Sequence, residues 1–266
     1  MRFDGKVGLV TGAGSGIGRA VAIGFAQRGG TVAVADLNPD SAAAVATIIN
    51  ATGGRAIAIA ADLAKPAEIA AMIAQTLDAF GRLDMLHNNA FGVPPDLQKS
   101  RFAPVAEIDD AVWDHTFQVG LTAVMQATRR VLPVMQRQGG GAIVNTASIS
   151  GLFGDYGIAA YNAMKAGVAN FTRVVAMEYA GDNIRCNCIC PGAIDTPLLQ
   201  RSLTTIPGFA DTLVAAIPMG RLGTPEEMAN VVLFLASDLA SYVTGAAFVA
   251  DGGLTAKTGI PTRFRN

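Results

Sequence analysis

Cysteine, histidine and tryptophan are scarce in this chain of 266 residues, with three, two and one copies. The three cysteines fall in one run, "IRCNCICPG", at Cys186, Cys188 and Cys190. Period 2 sets them in a line along one face of a strand, whereas a structural zinc needs four ligands converging tetrahedrally, usually from CxxC-type turns. The histidines, His87 and His115, stand in unrelated contexts, so no metal site is expected. The cysteines read instead as small buried hydrophobes whose free thiols fit a reducing compartment. Runs of like charge are missing too. Lys and Arg total 20 against 21 for Asp and Glu, a net charge of −1, which argues against a nucleic-acid or anionic-membrane partner. The longest apolar runs, such as "VVLFLA" at 231 to 236, fall far short of the roughly 20 residues that cross a bilayer. "MRFDGKVGLV" carries no apolar signal stretch with a cleavage site. A soluble cytoplasmic protein is expected.

What the chain has is apolar bulk, 51% hydrophobic against 15% charged residues, enough for one large α/β domain over 1–266. Short β-rich runs alternate with longer Ala-rich helical patterns. The runs are "KVGLVT" (6 to 11), "TVAVAD" (31 to 36), "RAIAIAAD" (55 to 62), "LDMLHN" (83 to 88), "GAIVNTAS" (141 to 148), "IRCNCICPG" (184 to 192) and "AAFVADGG" (246 to 253). Seven strands with intervening helices predict a seven-stranded parallel sheet covered on both faces, and the nearly continuous apolar strands predict burial on both sides. Two connections, about 90–110 and 191–227, are longer than joining requires and leave the carboxyl ends of strands, where open parallel sheets hold ligands.

The first strand runs into "TGAGSGIG" (11 to 18) and then a helical pattern. Gly12, Gly16 and Gly18 allow a tight turn and close approach of backbone to a pyrophosphate, and the helix N-terminus offers free N–H donors. Asp36 ends the second strand, 18 residues beyond Gly18. A carboxylate there accepts hydrogen bonds from both ribose hydroxyls and repels a 2′-phosphate, and neither Ser15 nor Leu37 offers a cation to one. The cofactor expected is NAD. The competing role for Asp36 is a cap for the helix after Pro39.

In "AAYNAMKAG" (159 to 167) Tyr161 and Lys165 stand four apart, on one helical face, where a positive neighbour favours the phenolate over a tyrosine's usual pKa of roughly 10. With TGxxxGxG, "NNA" at 88 to 90, Ser148 thirteen residues before Tyr161, YxxxK, and "PGAIDTP" at 191 to 197, the chain resembles the short-chain dehydrogenases/reductases over essentially its whole length. The resemblance implies a single doubly wound Rossmann-type domain with strand order 3-2-1-4-5-6-7 and a homo-oligomer, usually a tetramer. It implies a small-molecule substrate and catalytic Ser148, Tyr161 and Lys165, Tyr161 as base and Lys165 also binding the nicotinamide ribose. Cofactor contacts are implied for Ile17 in the glycine loop, Asp62 and Leu63 at the adenine, Asn89 in the cleft, Pro191 opening the last motif, and Ile194 and Thr196 at the carboxamide. The expected reaction interconverts a secondary alcohol and a ketone.

The resemblance breaks twice. "WDHTFQVGL" puts Gly120 where the family has an asparagine that helps hold a relay water; a glycine loosens the helix there and leaves room for an additional water. "NNAFG" puts Phe91 at the glycine that ordinarily follows NNA. The rival reading built on Gly120 is a dinucleotide-binding sensor or scaffold whose catalysis has lapsed. Phe91, Val93, Leu152, Phe153, Tyr156, Leu198, Leu199 and Met219 are expected to face the substrate, and their apolar character predicts a neutral, fairly hydrophobic one. Trp113 and Phe117 read as packing, His87 as core or cleft edge, and His115 as solvated.

Overall fold

A computed structural model describes residues 1–94, 97, 102–205 and 208–257. Strands β1 (Val7–Thr11), β2 (Thr31–Asp36), β3 (Arg55–Ala60), β4 (Met85–Asn88), β5 (Gly141–Thr146), β6 (Ile184–Pro191) and β7 (Ala247–Ala250) form one sheet of order β3-β2-β1-β4-β5-β6-β7. Every neighbouring pair is parallel. Between them run helices α1 (Gly16–Gln27), α2 (Pro39–Ala51), α3 (Pro66–Phe80), α4 (Asp110–Phe117), α5 (Ala123–Gln138), α6 (Ala159–Tyr179), α7 (Pro197–Thr205), α8 (Phe209–Ala216) and α9 (Pro225–Ala236). The strand order is the doubly wound one, which reverses direction beside β1 and opens a crevice at the carboxyl ends of β1 and β4.

Apolar residues bury both faces. Val21 and Phe25 of α1 and Val232 and Leu233 of α9 pack with Val10, Val34 and Val144 on one side. Ile69 and Met72 of α3, Val131 and Met135 of α5, and Val175 of α6 pack with Leu9, Leu86 and Ile143 on the other. The expectation of burial on both sides holds for β1, β4 and most of β6, but not at the edges. β3 buries only Ala56 and Ile59 and leaves Arg55, Ala58 and Ala60 exposed, and Phe248 and Val249 in the middle of β7 are exposed, because an edge strand has only one neighbour to exclude water.

Four observed strands stop short of their apolar runs. Residues 61–62, 147–148, 192 and 251–253 lie beyond β3, β5, β6 and β7, since the chain leaves the sheet there. The cysteines of β6 are free and buried, Cys188 and Cys190 packed with Ala147, Met164 and Val168. Among the described residues no helix is long and apolar enough to cross a membrane.

Between α4 and α5 the backbone makes a π-helical turn, Gln118–Thr122, with Gly120 buried at its centre. The local loosening expected of this glycine therefore takes the form of a π-bulge. The expected room for another water is absent. A Cβ on Gly120 would meet the Met164 side chain at 2.5 Å from Sδ and 2.6 Å from Cε, and Met164 is fully buried. A flexible thioether has filled the space that the missing side chain leaves.

Candidate active site

A cleft of about 1550 Å³ opens over the carboxyl ends of the strands. Its floor begins with the turn after β1, where Gly12 has φ 62° and a Cβ on it would meet Ala90 Cα at 2.8 Å. A Cβ on Gly18 would strike the Gly12 carbonyl and lie 2.7 Å from Asn89 Nδ2. Gly18 is thus a packing residue beneath the loop, while Gly12, Ser15, Gly16 and Ile17 line the cleft. Ser15 sits at the N-cap of α1 without a side-chain capping bond, and the first turn carries no acidic residue. The N–H groups there face no competing carboxylate of their own helix, which fits a bound pyrophosphate.

Asp36 ends β2 in the cleft, its Oδ2 accepting from Gly14 N at 2.8 Å and its Oδ1 from Asn38 N at 2.9 Å. It does not cap α2. Asn38 does, accepting from the backbone of Asp40 and Ser41. The carboxylate also ties the glycine loop to β2, a role that motif spacing did not reveal. Leu37, Asp62 and Leu63 continue the wall. Asp62 accepts from Ala64 N at 2.9 Å and lies 3.3 Å from the Lys65 ammonium.

Strand alternation splits the "NNA" motif between two tasks. Asn88 is buried and donates to Asn145 Oδ1 at 2.8 Å, and Asn145 donates to Thr172 Oγ1 at 2.9 Å, so a polar ladder links β4, β5 and α6. Asn89 lines the cleft and donates to the carbonyls of Thr11 (3.1 Å) and Gly12 (3.3 Å).

Ser148, Tyr161 and Lys165 line the same cleft as the glycine loop. Ser148 Oγ accepts from Ser150 N and donates to Ser150 Oγ, both at 3.1 Å, and Ser150 donates in turn to the Asp155 carboxylate. The Lys165 side chain is buried, with Nζ donating to Thr146 O at 2.6 Å and lying 5.6 Å from the centroids of both the Tyr161 and Phe91 rings. Burial lowers its pKa to about 8, against a smaller upward pull from Cys190 and Cys188. Phe91 packs on Tyr161 with ring centroids 5.1 Å apart and lines the cleft, on the side expected to face the substrate. Pro191, Ile194 and Thr196 close the far side, Thr196 Cγ2 standing 3.2 Å from where a Cβ on Gly16 would be.

Of the residues expected to face the substrate, Val93, Tyr156, Leu198 and Leu199 line the cleft with Phe91. Leu152, Phe153 and Met219 do not. Leu152 and Phe153 are exposed on the turn after Ser150, and Met219 lies 66% exposed at a separate, smaller depression. Hydrophobicity marked them as lining, but a loop residue's direction is set by turn geometry that composition does not encode. Phe102, Phe209, Leu213 and Leu254 line the cleft and were not expected there. His115 corrects another expectation: it is half-buried, lines the cleft and bonds through Nε2 to Gly92 O at 3.0 Å, holding the chain just after Phe91. Trp113 and Phe117 stack at 4.8 Å as packing, and His87 is fully buried. Part of the long connection, 95–96 and 98–101, lies outside the described residues.

A doubly wound sheet with a glycine loop, a carboxylate ending β2 and a Ser-Tyr-Lys group in one cleft defines a dinucleotide-dependent oxidoreductase. The enoyl-(acyl carrier protein) reductase family description matches residues 12–255. Cyclohexanol dehydrogenase of Acinetobacter sp. (strain SE19) is 42% identical over 257 residues, 96% of this chain and 97% of that protein. Levodione reductase superposes with TM-score 0.89 at 34% identity, covering 96% of this chain and 99% of that one. A 7α-hydroxysteroid dehydrogenase complexed with NADH and 7-oxo glycochenodeoxycholic acid gives TM-score 0.87 at 32% identity, covering 95% of each chain. The chain belongs to the short-chain dehydrogenase/reductase family and is an enzyme that uses a nicotinamide dinucleotide.

Proposed function

We propose that this enzyme interconverts a secondary alcohol and a ketone with NAD, on a neutral, largely apolar substrate with a ring. The observation that carries the proposal is the meeting of Ser148, Tyr161 and buried Lys165 in the cleft that begins at the glycine loop. NAD, which the glycine loop, Asp36, Asn89 and Lys165 would hold in the cleft, would supply the hydride acceptor for the alcohol carbon. Tyr161 accepts the hydroxyl proton as that carbon becomes a carbonyl, and the Lys165 charge favours the phenolate that must be present first. Ser148, which accepts from Ser150 N, turns its one hydroxyl proton from Ser150 Oγ to the reacting oxygen and holds that oxygen toward Tyr161. Asp36 selects NAD, because a 2′-phosphate facing a carboxylate already bound to Gly14 N and Asn38 N meets like charge.

Phe91, Val93, Leu198, Leu199, Phe209 and Leu213 supply an apolar wall for the substrate. Cyclohexanol and 7-oxo steroid acids, named with two of the relatives, are ring compounds, which sets the first arms of the test. The experiment is NAD reduction over cyclic, steroid and open-chain secondary alcohols at mildly alkaline pH. Turnover fastest on a cyclic alcohol supports the proposal; no turnover on any, with NADH still bound, would favour the sensor reading. A homo-oligomer is proposed as well, through the helices that follow β4 and β5; on α6 Val174 and Met177 leave apolar surface exposed. Light scattering that shows only a 27.3 kDa species rejects it.

A further inference from the structure

His87 has no part in the chemistry above, yet its imidazole is fully buried at the end of the central strand β4. Its Nε2 lies 3.0 Å from Thr146 Oγ1, and its Nδ1 has no hydrogen-bond partner among the described residues. Thr146 Oγ1 lies 3.3 Å from Asn89 Oδ1, and Asn89 Nδ2 reaches Thr11 O and Gly12 O.

The direction of every bond in this chain follows from its far end. The carbonyls of Thr11 and Gly12 can only accept, so the Asn89 amide must turn Nδ2 toward them. Its Oδ1 then faces Thr146 and can only accept, so the Thr146 hydroxyl donates to it. The one proton of that hydroxyl is thereby used, and Thr146 Oγ1 meets His87 as an acceptor. His87 must therefore carry its proton on Nε2. The opposite tautomer would lose the bond to Asn89 and bury an N–H on Nδ1 with no acceptor, which costs more than an unpaired acceptor nitrogen. Burial, helped by the Lys165 charge, lowers the His87 pKa to about 3, so the ring is neutral and has a single proton to give.

We propose that His87 is a positioning residue for the cofactor loop: as an Nε2–H donor it orients Thr146, through Thr146 the Asn89 amide, and through Asn89 the Thr11–Gly12 backbone. The proposal rests on the reading of that loop as the dinucleotide site. Thr146 is also the residue whose carbonyl receives Lys165, so the same strand end serves both halves of the cleft. The His87 signal in the sequence was weak, since one histidine in an apolar strand reads equally well as core.

Two measurements test it. Nitrogen-15 spectra of the cofactor-free enzyme should show His87 with protonated Nε2 and bare Nδ1, unchanged from pH 5 to 9; a proton on Nδ1, or titration in that range, would overturn the proposal. NADH affinity is then measured for His87→Val, Thr146→Val, the double variant and His87→Gln, whose amide N–H reaches about as far as Nε2. The single Val variants should weaken binding fivefold or more, the double no further than either, with kcat of His87→Val at saturating NAD falling by a smaller factor than its NADH affinity, and His87→Gln should keep affinity within about twofold. Val variants that lower the melting temperature but leave NADH affinity unchanged, or a Gln variant as weak as Val, would show a merely structural histidine. If the unsubstituted chain bound no NADH, the reading of the site would fall, and the nitrogen spectra alone would decide the hydrogen-bond chain.

Discussion

At the ends of β1 and β2 the functional surface is backbone secured by one carboxylate, whereas beyond β4 to β6 it is side chain throughout. In the first region Gly12 and Gly16 are fixed by the lack of room for a Cβ, and the Asp36 carboxylate accepts from Gly14 N, so little can vary without a collision or the loss of that bond. In the second, Phe91, Tyr156, Leu198 and Phe209 stand on loops and short helices, each aimed by its own turn. The contrast teaches that a phosphate-binding surface is specified by what a residue lacks, and a substrate wall by where a residue points. Substitutions should then have large, type-specific effects in the first region and graded, position-specific ones in the second.

The largest effect expected lies where the regions meet. Tyr161→Phe should cut turnover by roughly 10²- to 10⁴-fold, the range for a positioned acid–base group, while NADH binding stays nearly intact because the ring is kept. Steady-state rates with a fluorescence titration of NADH check this; a tenth of the activity surviving would call for another base. In the backbone region, Asp36→Ala with Leu37→Arg should narrow or reverse an NAD preference of at least about tenfold, or about 1.4 kcal/mol. Equal kcat/KM of the unsubstituted enzyme with NAD and NADP would sink the reading of Asp36.

At the π-turn, Gly120→Asn should be destabilising by about 1–3 kcal/mol, because the new side chain enters the volume of Met164. Calorimetry should show a melting temperature several degrees lower, and Met164→Ala in the same chain should recover much of the loss. An Asn variant as stable as the parent would mean that Met164 moves aside freely. The smallest effect belongs to the loop surface: Phe153→Ala should leave KM and kcat within about twofold, whereas Phe209→Ala, inside the cleft, should raise KM for the best alcohol more than that. The reverse order would break the comparison.

The seven parallel strands and the glycine loop were legible because each rests on local rules, period and glycine spacing, that survive folding unchanged, whereas the order of the strands came only from the resemblance to the family. Tyr161, Lys165 and Ser148 were legible because fixed spacing on α6 and after β5 carries them. Gly120 was legible as a departure but not as a filled site, since Met164 lies 44 positions along the chain and nothing local pairs them. His115 and Phe209 were missed for the same reason: whether a residue on α4 or α8 faces the cleft depends on helix docking. Leu152, Phe153 and Met219 erred in the opposite sense, apolar residues left outside.

The fit of Met164 against Gly120 also sets an order on how this sequence can change. A larger residue at 120 is obstructed while the thioether is in place, and shortening Met164 alone opens a void in a buried cluster. Either single step descends before the second can climb back. A change from glycine to asparagine at 120 therefore needs both substitutions at once or a compensating gain in stability elsewhere.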